Sequence, residues 1–375
     1  MRVTALEVSN FRNYAALRFE PASGVCVLVG QNAQGKSNLL EGLSLLSTGK
    51  SFRAAREVDL IKTGAPVARI AASVQTRTGE VQAACIITRA GEGARKKFLR
   101  NGRSVSYAQF LGGIAAVTFM PFDLQLIAGP PALRRRFLNI ALSQANRQYY
   151  HQHATYLHVL MQKNAALKTP GPVNGALLQT YNEQLADAGA HIIAARAAYV
   201  RRLSQEAATV HARWVGAAEE LSIAYQPSPD ISDETPAAIL KSLQAALSAS
   251  SALEVMRKTS LMGPHRDELS FAVAGAVLAR FGSQGQQRTA VLALKAAEYA
   301  LLAQATGEPP LLLLDDVLSE LDADRRRAFL GNLGHLEQAF ITSVDRPELP
   351  SQTARVYQIA EGRIADAPLG AALSA

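Results

Sequence analysis

The chain has 375 residues, 48% of them hydrophobic and 19% charged, a globular balance long enough for two domains or for one domain with a large insertion. No run of about 18 uncharged apolar residues is present and no charged-then-apolar leader opens the chain, which excludes a membrane span and a signal peptide and leads us to expect a cytoplasmic protein. The two cysteines, Cys26 and Cys85, form no CxxC pair, which argues against a disulfide scaffold or a zinc site. The net charge of +8 is unevenly placed: residues 50–103 carry 12 Lys/Arg against 4 Asp/Glu, whereas residues 259–375 carry 10 against 14. A local basic excess points to a polyanion partner, or to no more than solvated strand faces.

In chain order, Val3–Val8, Ala15–Phe19 and the apolar run Val25–Val29 read as strands, and Lys36 to about Leu46 reads as a helix. Residues 66–107 alternate with period two, as an antiparallel meander does. Asn101-Gly102 marks its clearest hairpin, because a two-residue turn needs positive φ at both central positions. Residues 132–168 read as helical, and a Pro/Gly-rich break at 169–175 separates them from a second run, 176–215. That run places Leu177, Tyr181, Leu185, Ala188, Ile192, Ala195, Tyr199 and Leu203 on one stripe. Such a helix would be roughly 60 Å long, and the pair suggests an antiparallel arm. Shorter helices are expected up to about Thr259, a strand at Glu268–Val273 and α/β texture beyond. We therefore expect a head split into residues 1–130 and 259–375 by an inserted helical arm, 131–258.

Three motifs carry chemistry. Gly30-Gln31-Asn32-Ala33-Gln34-Gly35-Lys36-Ser37 fits the P-loop pattern between a strand and a helix. Glycines let backbone N–H groups curl round a β-phosphate at the helix N-terminus. Lys36 can reach the β- and γ-phosphates of ATP, and the Ser37 hydroxyl can ligate Mg²⁺. Leu311-Leu-Leu-Leu-Asp315-Asp316 supplies the second part, a buried strand ending in two acids. Asp315 would complete the metal site, and Asp316 would orient or deprotonate the attacking water; as an alternative, both acids cap a following helix. Ser319-Glu-Leu-Asp322 follows directly. The third part is Ser283, Gly285 and Gln286, at the start of an apolar-periodic helix expected from Thr289 to about Leu302. P-loop, Ser/Gly/Gln helix start and acidic strand stand in the order of ABC-type ATPases, whose third motif touches the γ-phosphate bound by the other subunit.

NFRNY at 10–14, GQNAQGKSNLLEG at 30–42, TGKSFR at 48–53, GPHRDEL at 263–269, SQGQQRTAVLALK at 283–295 and LLLLDDVLSELD at 311–322 together resemble the RecF family of bacterial recombinational repair proteins. The likeness spans nearly the whole chain; the P-loop and acidic motifs are shared with SMC and Rad50 relatives. The resemblance implies an α/β, ABC-type P-loop ATPase head with an antiparallel β lobe and an inserted helical arm. It also implies weak ATP hydrolysis used as a switch and an ATP-dependent homodimer on single-stranded, duplex and gapped DNA. RecR and RecO are the implied partners, with RecA loaded indirectly.

The sequence departs from the ABC pattern in two places. Asp316 stands where Glu is usual, and one methylene less suits a switch better than a pump. Phe340-Ile-Thr-Ser-Val344 lacks the customary His, so Thr342 or Ser343 is the expected stand-in at the γ-phosphate. The Gln that ligates the metal is not identifiable, with Gln125 a guess. His265 and Arg266 either touch nucleotide or DNA or brace the loop before a strand, and Arg134–Arg136 either contact phosphate or form a solvated helix start. Lys50, Arg53, Arg56, Lys96, Lys97 and Arg100 are the expected DNA contacts. An insert of about 128 residues without cysteine is too short for a Rad50 or SMC coiled coil. A transporter ATPase subunit would carry LSGGQ and no basic lobe.

Overall fold

The computed structural model describes residues 1–215, 219–317, 326, 336–346 and 354–366. Ser319, Glu320, Leu321 and Asp322 lie outside the described residues. The chain forms two compact units: residues 1–123 with the described part from Glu298 onward, and residues 124–297.

The first unit is built on two sheets. A six-stranded sheet runs in the order 363–366, 355–360, 24–29, 338–343, 311–315, 116–119. Its strands are parallel except for the first pair, a hairpin. Leu311–Asp315 is buried along its whole length, as a strand covered on both faces must be. The second sheet is the lobe, antiparallel throughout, ordered 14–19, 2–11, 67–76, 79–90, 93–100, 103–105. Its last hairpin turns at Asn101 (φ 49°) and Gly102 (φ 74°), the two positive values the sequence called for. The helix Lys36–Thr48 packs against strands of both sheets. Ten of its thirteen residues are buried, among them the polar Lys36, Glu41, Ser44 and Ser47.

The second unit is mostly helical. Residues 132–168, expected as one helix, form two: Pro131–Ala145 and Arg147–Lys168. Asn146 between them is extended (φ −144°), and its side chain accepts hydrogen bonds from the N–H groups of Gln148 and Tyr149. A capping Asn therefore ends one helix and starts the next without any Pro or Gly signal. The long helix is Gly175–Val215, 41 residues, and it runs antiparallel to Arg147–Lys168. Tyr149 meets Arg196 and Tyr156 meets Gly189, so the pairing descends one helix as it climbs the other. On the expected stripe Leu185, Ala188, Ile192 and Leu203 are buried, but Leu177 is exposed and Leu178 takes its place inside. One helix, Pro236–Arg257, replaces the expected shorter ones.

Residues 259–297, expected with the head's C-terminal half, belong to this second unit. The cause is a strand the sequence did not reveal, Leu221–Gln226, which pairs antiparallel with Glu268–Val273. The loop before that strand is also tied to the helices. Arg196, 2% exposed, donates to Asp267 Oδ2 and to the Pro264 carbonyl, both at 2.6 Å. Lys163 and Glu254, also buried, pair at 2.6 Å, and Glu254 accepts from Ser260 Oγ at 3.0 Å.

His265 closes the loop. Its Nδ1 lies 2.6 Å from the Tyr156 hydroxyl and its Nε2 3.2 Å from the Ser260 carbonyl. Since the carbonyl can only accept, Nε2 carries the proton and Nδ1 accepts from Tyr156. Burial, reinforced by the charges of Arg266, Lys163 and Arg135, pushes the imidazole down to about 4. A folded-state value below the ordinary one of about 6.5 means that protonation favours the unfolded chain. The stabilisation is therefore complete above that ordinary value and is lost as pH falls from there towards 4. Thermal melts should show the advantage of wild type over His265→Gln shrinking below pH 6.5 by up to about 1.4 kcal/mol per pH unit. An advantage that stays constant from pH 7 to pH 4.5 would remove His265 from the titrating groups.

Candidate nucleotide site and basic lobe

The P-loop leaves the carboxyl end of strand Gly24–Val29, where ligands bind in open parallel sheets. Gly30 passes so close to the Ile359 carbonyl that a Cβ there would collide with it. Ala33 (φ 66°) and Gly35 (φ 113°) bend the loop through left-handed conformations into the helix. That helix has neither a side-chain cap nor an acid in its first turn, leaving backbone N–H groups and dipole to an anion. Lys36 is buried, and its ammonium donates to the carbonyls of Gly30 and of Gln31, the latter at 2.9 Å. Burial lowers its pKa, while the charges of Asp316 and then Asp315 oppose the shift.

Asp315 ends its strand beside the P-loop helix. Its Oδ1 accepts from Ser37 Oγ at 2.7 Å and from Thr342 Oγ1 at 2.8 Å. Thr342 sits at the end of strand Gln338–Ser343, between the P-loop strand and the acidic strand in the sheet. Asp316 is left-handed (φ 51°), and its N–H donates to Thr342 Oγ1 at 2.9 Å. The P-loop serine, both acids and the Thr342 hydroxyl are thus in one place.

The loop is braced from behind by residues whose role the sequence did not disclose. Asn13 Nδ2 donates to the Gln34 carbonyl at 3.0 Å, and the Tyr14 hydroxyl donates to the Gly35 carbonyl at 3.1 Å. Asn38 Nδ2 donates to Asn13 Oδ1 at 2.7 Å, and Arg53 donates to Asn38 Oδ1 at 2.5 Å. On the other side the Glu361 N–H donates to Gln34 Oε1 at 2.6 Å. NFRNY is therefore a clamp on the P-loop. One helical turn further, the fully buried carboxylate of Glu41 takes both Arg12 (2.7 and 2.8 Å) and Ser51 Oγ (2.5 Å).

Residues 2–364 match the family described as RecF/RecN/SMC N terminal domain. The chain is 41% identical over 353 residues to the DNA replication and repair protein RecF of Symbiobacterium thermophilum, covering 93% of each chain. It is 35% identical to the RecF of Staphylococcus aureus strain Newman, covering 97% of this chain and 100% of that one. This chain belongs to the RecF family. A solved structure described as the recombination mediator protein RecF-ATP in the RecFOR pathway superposes with a TM-score of 0.90 at 30% identity, over 98% of both chains. The ABC-type head fold expected from the RecF resemblance is therefore the fold of this chain.

The residues expected to form the signature, Ser283, Gly285 and Gln286, lie in the second unit. Ser283 is exposed and caps helix Gln284–Thr306 reciprocally: its Oγ accepts from the Gln286 N–H and its own N–H donates to Gln286 Oε1, both at 3.1 Å. Gly285 lies in the first turn, and Gln125 begins the short helix Gln125–Ala128 of the same unit. His265 braces its loop as described, and Arg266 donates to the Ser260 carbonyl at 2.7 Å. Arg134 is bidentate to Glu268 at 2.5 and 2.8 Å and Arg135 donates to the Asp267 carbonyl, so both hold the fold internally.

The lobe divides its basic residues by strand face. On strand Gly93–Arg100, Lys96 shares the inward side with buried Phe98. Its ammonium pairs with Glu57, donates to the Gly49 carbonyl at 2.7 Å and lies 5.9 Å above the Phe98 ring. Arg100, on the same side, donates weakly to the Gln109 carbonyl at 3.4 Å. Arg95 and Lys97 point outward and are exposed, as is Arg103 on the next strand. Arg56 pairs with Asp59 at 3.1 Å, Arg53 is held at Asn38, and Lys50 is exposed.

The Glu41 cluster has a stability consequence. Glu41→Leu would leave the guanidinium of Arg12, 17% exposed, without its carboxylate. Removing one partner of a buried pair costs about 3–5 kcal/mol, so urea unfolding of this variant should show a loss of that size. A loss below about 1 kcal/mol would mean that solvent replaces the carboxylate.

Proposed function

We propose that this chain is an ATP-dependent DNA-binding protein of recombinational repair and replication restart. In this reading it dimerises on ATP at single-strand gaps and junctions and helps load RecA together with RecR and RecO, in the cytoplasm. The observation that carries it is the shared hydrogen bonding of Ser37 and Thr342 to Asp315 beside an uncapped P-loop helix, in a chain of the RecF family. Among the described residues no helix is long and apolar enough to cross a membrane.

The nucleotide's β- and γ-phosphates would exchange places with the carbonyls that now hold Lys36. Ser37 and Asp315 are hard oxygen donors, a set that fits Mg²⁺. When bound, the ion neutralises charge on the β- and γ-oxygens. Asp316, whose charge Lys36 already feels, would take a proton from the attacking water. Its short side chain suits slow turnover, in which ATP binding closes the dimer and hydrolysis opens it. In the dimer, Ser283, Gly285 and Gln286 of one copy would face the γ-phosphate held by the other.

Replacing Lys36 with Met removes the P-loop's side-chain cation while leaving the apolar stem in place. Calorimetry should then show ATP binding weakened by about 10²-fold or more, since a charge-assisted contact to phosphate contributes about 3 kcal/mol. Light scattering should show wild type, but not Lys36→Met, doubling in mass with ATP on gapped DNA. Binding within about threefold of wild type would defeat the assignment.

For DNA, the outward side of the lobe is the favoured track, because Lys96 and Arg53 have internal partners. Arg95 and Lys97 would contact phosphates without reading bases. Changing Arg95 and Lys97 to Ala removes about four contacts per dimer and should flatten the slope of log affinity against log salt by about 3.5 on duplex DNA. ATP affinity should stay as in wild type. An unchanged slope would move the DNA path elsewhere.

A further inference from the structure

The switch strand offers two hydroxyls and no histidine, and their hydrogen bonds separate the two. Thr342 is 1% exposed and lies between parallel strands, in register with Asp315 on one side and Leu28 on the other. Its hydroxyl has a single proton, and that proton goes to Asp315 Oδ1 at 2.8 Å. Thr342 Oγ1 in turn accepts the Asp316 N–H at 2.9 Å. Thr342 thus bridges the carboxylate of one acid and the peptide of the next, and its donor is not available to a phosphate in this arrangement.

The backbone explains why such a bridge is needed. Asp316 is left-handed, a conformation that Asp tolerates better than most non-glycine residues but that still costs energy relative to the right-handed and extended regions. The N–H that Thr342 receives belongs to this residue, so the bond orients the peptide joining the two acids. Releasing it would free Asp316 to turn towards an ordinary right-handed or extended conformation and redirect its carboxylate. Ser343 is next on the strand, half-exposed, and pairs with Val29, the last residue before the P-loop glycine. It is the hydroxyl better placed to face a terminal phosphate.

We infer that Thr342 is a positioning residue, holding Asp315 in place for the metal and Asp316 in its left-handed pose for hydrolysis, and is not itself the sensor of the γ-phosphate. The inference rests on the ATP reading above. Thr342→Val keeps the shape and the β-branch but loses both hydrogen bonds; Thr342→Ser keeps both bonds and loses only a methyl.

Single-turnover hydrolysis of radiolabelled ATP on gapped DNA, with calorimetry of ATP binding, distinguishes the roles. Thr342→Val should bind ATP within about threefold of wild type yet hydrolyse it at least about tenfold more slowly, since a misplacement near 1 Å can cost up to about 10²-fold. Thr342→Ser should hydrolyse at close to the wild-type rate. A Val variant with wild-type turnover overturns the inference. So does a Ser variant as slow as Val, because the methyl's packing would then be what matters. A Val variant that weakens ATP binding as much as Lys36→Met also overturns it, by making Thr342 a nucleotide contact. If Thr342→Val does not fold, the Ser variant decides alone, with tenfold slowing counting against the inference. Failure of the underlying reading looks different: Lys36→Met would bind ATP normally, or wild type would show no turnover.

Discussion

One carboxylate oxygen joins three parts of the head. Asp315 Oδ1 accepts from Ser37 on the P-loop helix and from Thr342 on the neighbouring strand, while Asp315 itself ends a third element. The parallel sheet makes this possible, because it brings the carboxyl ends of strands 24–29, 338–343 and 311–315 side by side. Strands in such a sheet lie about 4.8 Å apart, so two strand spacings separate the P-loop strand from the acid. The central strand supplies Thr342 there, whose hydroxyl reaches Asp315 across one strand spacing. The joint hydrogen bonding of Ser37, Thr342 and Asp315 depends on that spacing before it depends on any single residue's chemistry.

The P-loop's conformation depends in turn on distant backbone. Gln34 is held through its carbonyl by Asn13 and through its side chain by the N–H of Glu361, one partner from near each end of the chain. Gly35 closes the clamp: its φ of 113° is left to glycine, and a Cβ there would come within 2.6 Å of Asn13 Nδ2. An anion-binding loop has to expose N–H groups while its outer carbonyls remain satisfied. The clamp fulfils the second requirement without using any group on the phosphate side.

The parts legible in the sequence were those set by local periodicity or a fixed spacing. The P-loop, the acidic strand, the Asn101-Gly102 turn and the Ser283 cap follow from nearest neighbours. Strand Leu221–Gln226 was not legible, because what makes it a strand is a partner more than forty residues away, Glu268–Val273. The split at Asn146 escaped because Asn is tolerated inside helices, and only its side-chain bonds to Gln148 and Tyr149 mark the cap. Charge counting located the basic lobe but could not separate Lys96 from Lys97, because the former's partner, Glu57, lies on another element. The partners of GPHRDEL and NFRNY, Arg196 for Asp267 and Glu41 for Arg12, were hidden for the same reason.

A single hairpin strand of the lobe sends neighbouring cations to opposite sides. Alternation sends Lys96 inward, where its stem covers Phe98 and its charge meets Glu57, and Lys97 outward. A partly buried ammonium with a carboxylate beside it contributes little field at the surface, because the pair's charges cancel over a Debye length of about 8 Å. The outward cations keep theirs. On that outward face Lys97 pairs with Ile86 and Leu99 with Ala84, and Ala84 pairs in turn with Ala71 of the next strand. The same face carries the Arg69–Glu7 ion pair at 3.0 Å, since Arg69 pairs with Ile86 and Glu7 with Ala71. Among the described residues, the exposed cations Arg95 and Lys97 therefore differ from Arg69 in having no carboxylate across the strand from them.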